Sequence, residues 1–213
     1  MRQPLSVLHV EYESGDVIGA IAALVTQTPI FIMVSYATLL VSRRDLSTAS
    51  LLLGQLLNEV LNYVLKHIFA EPRPVGAPAF APEHGMPSNH AQFIGFLVSA
   101  GSLWAVRRWG VGVIWRALSV VGGVALGTAV CASRLYLGYH DIRQIVAGVV
   151  VGIVSGSCWH VLTEIFIRPA FPALAATPLA RFFLIRDCSH LPNVIMAEYL
   201  VATASATRGK RHA

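Results

Sequence analysis

The stretch Glu83-His84-Gly85-Met86-Pro87-Ser88-Asn89-His90 is a short polar turn between two long apolar segments, and it ends on a histidine. Two other groups of basic and histidine residues share its setting at the ends of apolar runs. Lys66, Arg73 and Pro74 lie just upstream, and Ser133, Arg134 and His140 lie at the next polar break downstream. The fold has to explain why these three clusters are polar in so apolar a chain.

Of the 213 residues, 55% are hydrophobic and only 13% charged, with a mean hydropathy of +0.62. A soluble domain carries about 25% charged residues, so this balance points to a membrane. Apolar runs at 17–41, 47–66, 91–106, 111–132 and 142–167 each approach the roughly 20 residues needed to cross the hydrocarbon core. The expected fold is therefore all-α: an integral bundle of about five transmembrane helices, with a kink in the first at Pro29.

The expected organisation is a transmembrane domain over 1–168, followed by a C-terminal membrane-surface segment and basic tail over 169–213. Pro169, Pro172, Pro178 and Pro192 break the latter, and residues 205–213 read as an unstructured tail. The acidic start, with Glu11, Glu13 and Asp16, lacks the basic region of a cleaved leader. Cys131, Cys158 and Cys188 have neither disulfide nor zinc spacing and read as packing residues.

Five crossings put the end of the second run, the start of the third, the end of the fourth and the start of the fifth on one side. The three clusters occupy those places. Of the sixteen Lys and Arg residues, only Arg2, Lys66, Arg73, Arg134 and Arg143 fall on that side. Arg43, Arg44, Arg107, Arg108, Arg116, Arg168, Arg181, Arg186, Arg208, Lys210 and Arg211 fall on the other. The positive-inside rule then puts the clusters on the non-cytoplasmic face and the carboxyl terminus in the cytoplasm.

The basic residues form no aromatic-interleaved patch, so no nucleic-acid partner is expected. Gly148, Gly152 and Gly156 form a small-residue face for helix packing. Asn58, Asn62 and Lys66 share one face of the second helix, with Glu59 beside them, and either support the site or bond neighbouring helices.

Phosphoryl transfer spreads negative charge over peripheral oxygens, so it needs positioned cations and backbone donors. Lys66, Arg73 and Arg134 supply the cations, Ser88 a hydroxyl, and the amides of residues 88–90 a helix start. Of His90 and His140, one attacks phosphorus while the other protonates the leaving oxygen and then activates water. Neither task requires a metal or cofactor, and no carboxylate cluster is present to hold an ion.

Lys66, six residues, Arg73-Pro74, then Pro87-Ser88-Asn89-His90, then Ser133-Arg134, five residues, His140 resembles the three-part signature of the type-2 phosphatidic acid phosphatase and vanadium haloperoxidase superfamily. The resemblance implies that His140 is the nucleophile and His90 the general acid/base. It makes Lys66, Arg73, Ser88, Asn89 through its backbone, and Arg134 the phosphate-binding residues. Leu57-Asn58-Glu59, Glu71-Pro72-Arg73-Pro74, His84-Gly85-Met86-Pro87 and Phe182-Phe183-Leu184-Ile185-Arg186-Asp187 followed by Pro192-Asn193 look most like the dolichyldiphosphatases of the endoplasmic reticulum.

That likeness implies a polyisoprenoid diphosphate lipid substrate, a luminal active site and recycling of the glycan carrier. Other lipid phosphate phosphatases and a weakly catalytic lipid-binding protein remain alternatives. Two positions depart from the superfamily pattern: Asn89 stands where glycine is common, and Gln144 stands where an aspartate follows the nucleophile by four residues. Gln144 is the expected orienter of His140 in preference to Asp141. Lys210-Arg211 resembles a basic retrieval signal, or is a lipid-attracted tail.

Overall fold

The computed structural model describes residues 2–5, 10–78, 81, 83–107 and 112–209. The Lys210-Arg211 pair, Arg108 and His212 lie outside the described residues. The chain begins with a hairpin of β1 (Arg2–Leu5) and β2 (Val10–Glu13), paired antiparallel. Six long helices follow: α1 (Val17–Val25), α2 (Thr28–Arg43), α3 (Leu46–Phe69), α4 (Asn89–Arg107), α5 (Val113–Tyr136) and α6 (Ile142–Leu162).

The first apolar run breaks one turn earlier than proline chemistry suggested. Thr26 and Gln27 separate α1 from α2, and Pro29 sits inside the first turn of α2, where its missing N–H leaves no helix bond unmade. α6 continues through a π turn (Thr163–Ile167), a 3₁₀ turn (Arg168–Ala170) and α7 (Phe171–Ala175). The boundary expected at residue 168 thus falls within one helical run.

Beyond that run come α8 (Pro178–Phe182) and α9 (Val194–Gly209). Residues 205–209, read from the sequence as tail, are therefore the last turn of a helix. The N-terminal hairpin also had no counterpart in the sequence reading, which gave no strand.

Burial is inverted relative to a soluble protein. Ile142, Val146, Val150, Val154, Val121 and Leu118 are each more than half exposed, whereas Gln55, Asn62, Ser88, Gln92 and Gln144 are at most 1% exposed. Apolar groups outside and carboxamides inside suit a bundle in lipid, where polar groups gain more from one another than from hydrocarbon. The runs Val17–Arg43, Val113–Tyr136 and Ile142–Ala175 are long and apolar enough to cross a membrane. The chain is a multi-pass membrane protein.

α3 and α4 have 24 and 19 residues, long enough to cross, but their polar side chains turn inward and reduce their apolar character. Asn62 Nδ2 donates to Gln92 Oε1 at 2.7 Å and to the Pro87 carbonyl at 3.4 Å. Gln92 Nε2 donates to Asn58 Oδ1 at 3.0 Å, and Ser155 Oγ donates to the same oxygen at 2.8 Å. These residues bond three helices together, and Asn62 also reaches the signature turn.

α6 packs most extensively against α4. A Cβ on Gly148 would meet the Ser88 carbonyl at 2.6 Å, and one on Gly152 would collide with the Gln92 carbonyl and meet Phe96 N at 2.8 Å. Side chains at these positions would hold the helices apart. Gly152→Leu is accordingly expected to cost about 2–3 kcal/mol or to prevent folding, whereas Gly122→Ala, on open space in α5, is expected to be neutral or slightly stabilising. Thermal unfolding of the detergent-solubilised protein measures both; equal melting points would refute the packing argument.

Candidate active site

The ends of α3 and α5 and the starts of α4 and α6 meet at one end of the bundle, together with the loop over 70–88. Ala70, at a φ of 46°, terminates α3. The chain then doubles back through a Pro72–His84 bridge, where Gly85 N donates to the Glu71 carbonyl at 2.7 Å. This fold-back carries Arg73 across to α6 and returns the chain to Ser88, which opens α4. Lys66 Nζ, in the last turn of α3, donates to the His84 carbonyl at 3.0 Å.

His140 precedes α6, whose N-cap Asp141 accepts from Gln144 N at 2.9 Å. The cap is occupied by that bond. His140 Nδ1 instead meets Gln144 Oε1 at 2.9 Å, while Gln144 Nε2 donates to the Pro72 carbonyl at 2.9 Å. A carbonyl can only accept, so the amide's NH₂ must point to Pro72 and its oxygen to His140. Nδ1 of His140 therefore carries the hydrogen, and Nε2 carries the lone pair.

Arg73 Nη1 donates to that Nε2 at 3.2 Å and to the Tyr139 carbonyl at 2.8 Å. Burial, and next the charge of Arg73, lower the His140 pKa to about 3 despite the opposing hydrogen bond from Gln144. Burial also lowers the pKa of the Arg73 guanidinium from its ordinary value. At neutral pH the imidazole is uncharged, the form a nucleophile needs.

Arg134, 5% exposed, lies 3.8 Å over the Tyr139 ring and donates through Nη1 to Thr26 Oγ1 at 3.1 Å. His90, in the first turn of α4, is within electrostatic range of Arg134, His140 and Arg73. Ser88 N donates to the Gln144 carbonyl at 3.0 Å, tying the signature turn to α6. Asn89's side chain bonds Glu59. Ser88 Oγ and Arg134 Nε are buried without a partner among the described residues.

All eight residues picked from the sequence thus lie at one end of the bundle, joined through the 70–88 loop and Tyr139. Five further contributors had not been picked. Thr26 and Tyr139 hold Arg134, Pro72 fixes the Gln144 amide, and Asp141 caps its helix. Gly85 lies where a Cβ would press within 2.5 Å of Gln144 Oε1.

A multi-pass helical bundle with this cradle defines a membrane phosphatase of the phosphatidic acid phosphatase type. The profile of the PAP2 superfamily matches residues 47–167, and the chain belongs to that superfamily. Within it, the chain is 37% identical to "Dolichyldiphosphatase 1" of Homo sapiens over 98% of its own length and 92% of the relative's. It is 31% identical to "Dolichyldiphosphatase" of Saccharomyces cerevisiae over 76% and 71% of the two chains.

"Lipid phosphate phosphatase gamma" of Arabidopsis thaliana is 29% identical over 94% of this chain and 91% of that one. The fold matches the crystal structure of a transmembrane PAP2-type phosphatidylglycerolphosphate phosphatase from Bacillus subtilis with a TM-score of 0.62, at 18% identity, over 72% of this chain and 80% of the other.

If Gln144 fixes the His140 tautomer, Gln144→Met should lower kcat by about a hundred-fold or more and leave KM within about three-fold. Steady-state kinetics on the folded variant decide this. A change confined to KM would show that Gln144 serves binding instead.

Proposed function

We propose that this chain hydrolyses dolichyl diphosphate to dolichyl phosphate and inorganic phosphate through a phosphohistidine, recycling the lipid carrier used in protein N-glycosylation. The observation that carries the reading is the His140 arrangement: a buried, uncharged imidazole whose Nε2 lone pair meets Arg73, with Arg134 and Lys66 within electrostatic range. The full-length likeness to dolichyldiphosphatases supplies the substrate class.

In this mechanism Nε2 of His140 attacks the terminal phosphorus as the bond to the bridging oxygen breaks. Lys66, Arg73 and Arg134 balance the charge on the peripheral oxygens, with Ser88 Oγ and the α4 amides as further donors. His90 gives a proton to the departing lipid monophosphate. It then takes one from the water that attacks the phosphohistidine, releasing inorganic phosphate and restoring both histidines.

The lipid tail has a path from the site. A groove of about 500 Å³ lies beside it, lined by Phe69 at the end of α3, by Pro87 from the loop, and by Ile142, Val146 and Val150 of α6, with Arg143 at its edge. An isoprenoid chain, having no polar atoms, suits such a wall.

Gln144 bears on the choice of bond. A diphosphate expels a phosphate monoester with a pKa of about 6, whereas a lipid monophosphate expels an alkoxide whose conjugate acid lies nearer water's roughly 15.7. The easier departure asks less of the nucleophile, so a neutral orienter favours the diphosphate and spares the product. Glutamate tests this better than aspartate, because it keeps the reach of Gln144 to His140 Nδ1, which a side chain one methylene shorter loses, although its carboxylate gives up the bond donated to the Pro72 carbonyl.

Phosphate release by the purified protein without added metal, from dolichyl diphosphate, dolichyl phosphate and phosphatidate, tests the reading. The diphosphate is expected to be preferred and His140→Ala to abolish release; preference for phosphatidate would reassign the protein to the broader lipid phosphatases. In Gln144→Glu the ratio of monophosphatase to diphosphatase activity is expected to rise about ten-fold or more. An unchanged ratio would remove the leaving-group argument.

The arginine asymmetry supports an endoplasmic reticulum orientation with the site luminal and the carboxyl terminus cytoplasmic. A glycosylation acceptor inserted beside Gly76, in the exposed turn around Val75, should be modified in microsomes. Its absence in an active, correctly inserted protein would reverse the orientation.

A further inference from the structure

At the end of the bundle opposite the histidines lies a second cavity of about 180 Å³. Its walls are the start of α3, the ends of α4 and α6, and the segment 189–192. That segment is fixed in place. Leu46 N donates to the Arg186 carbonyl at 3.1 Å, Cys188 N to Asp45 Oδ1 at 3.1 Å, and Arg168 Nη2 to the Ser189 carbonyl at 2.9 Å. The Phe-Phe-Leu-Ile-Arg-Asp stretch singled out in the sequence leads into this closure, and nothing in the phosphatase reaction uses it.

The cavity's charge is unbalanced. Glu164 carries both nearby arginines, Arg168 at 2.8 Å and Arg107 at 3.6 Å, so one positive charge is in excess. Arg168 is fully committed to Glu164 and Ser189, while Arg107 is exposed and held by the longer pair alone among the described residues. His160 lines the same space at 7% exposure, and its Nε2 is buried without a hydrogen-bond partner.

Trp104 and Trp159 also line the cavity, and amphipathic rings of this kind favour the level of lipid headgroups. Arg44 and Arg181 add positive charge at this end with no carboxylate partner among the described ion pairs. A small anion with an apolar attachment matches all of these features.

We propose that this cavity is a second ligand site, separate from the catalytic one, that takes the phosphate of an anionic membrane lipid headgroup, with Arg107 and His160 as its contacts and the tryptophans beside the lipid's glycerol end. Free inorganic phosphate shares the chemistry. The proposal does not depend on which lipid the catalytic site hydrolyses, and neither contact belongs to the catalytic machinery.

Thermal shift of the purified full chain in detergent tests it, with dioctanoyl phosphatidylserine, dioctanoyl phosphatidylcholine and inorganic phosphate as probes. The serine lipid is a phosphodiester with no terminal phosphate for the proposed hydrolysis to remove. Phosphatidylserine is expected to raise the melting point where phosphatidylcholine does not. The half-saturating concentration should increase about ten-fold in Arg107→Gln and in His160→Leu, with their turnover of diphosphate in detergent unchanged.

A shift produced by inorganic phosphate alone and lost in both variants would uphold the site and identify its ligand as the free anion. Equal shifts for the two lipids, or shifts retained in both variants, would overturn the proposal. A His140→Ala chain that kept the phosphatidylserine shift would separate this binding from the catalytic site.

Discussion

The close approach of α4 and α6 is the constraint on which the rest depends. With Gly148, Gly152 and Gly156 opposing the α4 backbone, the signature turn comes near enough for Ser88 N to reach the Gln144 carbonyl. His140, Gln144, Ser88 and His90 belong to these two helices and their leading turns, so helix separation sets the active-site dimensions. Larger residues in the stripe would widen the site before they touched any reacting group.

Packing alone does not bring α3 and the 70–88 loop to that pair. In lipid the apolar faces of helices gain little from meeting one another, because the surrounding chains are equally apolar. The carboxamides of Asn58, Asn62 and Gln92, with Ser155, instead bond α3 to α4 and α6 across the interior. Asn62 also bonds Pro87, so the network that holds α3 in the bundle helps shape the turn carrying Ser88. Structural and functional polar groups are continuous here, consistent with an all-α bundle whose polar residues face inward.

Much of this was legible in the sequence because the residues with chemistry sit at the ends of apolar runs, and alternation across the membrane brings those ends together. The glycine stripe and the inward face of Asn58 and Asn62 were legible for the same reason: helical period is visible in residue type. Backbone partners were not. The Pro72 carbonyl that orients Gln144 has no signature, and Thr26 reaches Arg134 across 108 positions from what looked like the middle of a helix. Pro29 misled because proline marks a break without saying on which side of it the helix resumes.

The electrostatics of the resting site follow first from burial of His140 and next from the cations beside it, with no carboxylate to offset either. With an aspartate beside Nδ1, the imidazole would have a counter-ion and would tend toward imidazolium; with Gln144 it has a dipole, and three cations stand nearby. The result is an imidazole whose pKa is pulled down to about 3 and a cradle with a net positive charge. In the mechanism proposed above, an arriving phosphate supplies the missing negative charge. It relieves the mutual repulsion of Lys66, Arg73 and Arg134 and gives Arg73 a stronger partner than His140 Nε2, freeing that nitrogen's lone pair as the phosphorus comes within reach. On that proposal substrate binding and exposure of the nucleophile are one electrostatic event, and the neutral glutamine permits it because it leaves the cation excess for the substrate to neutralise.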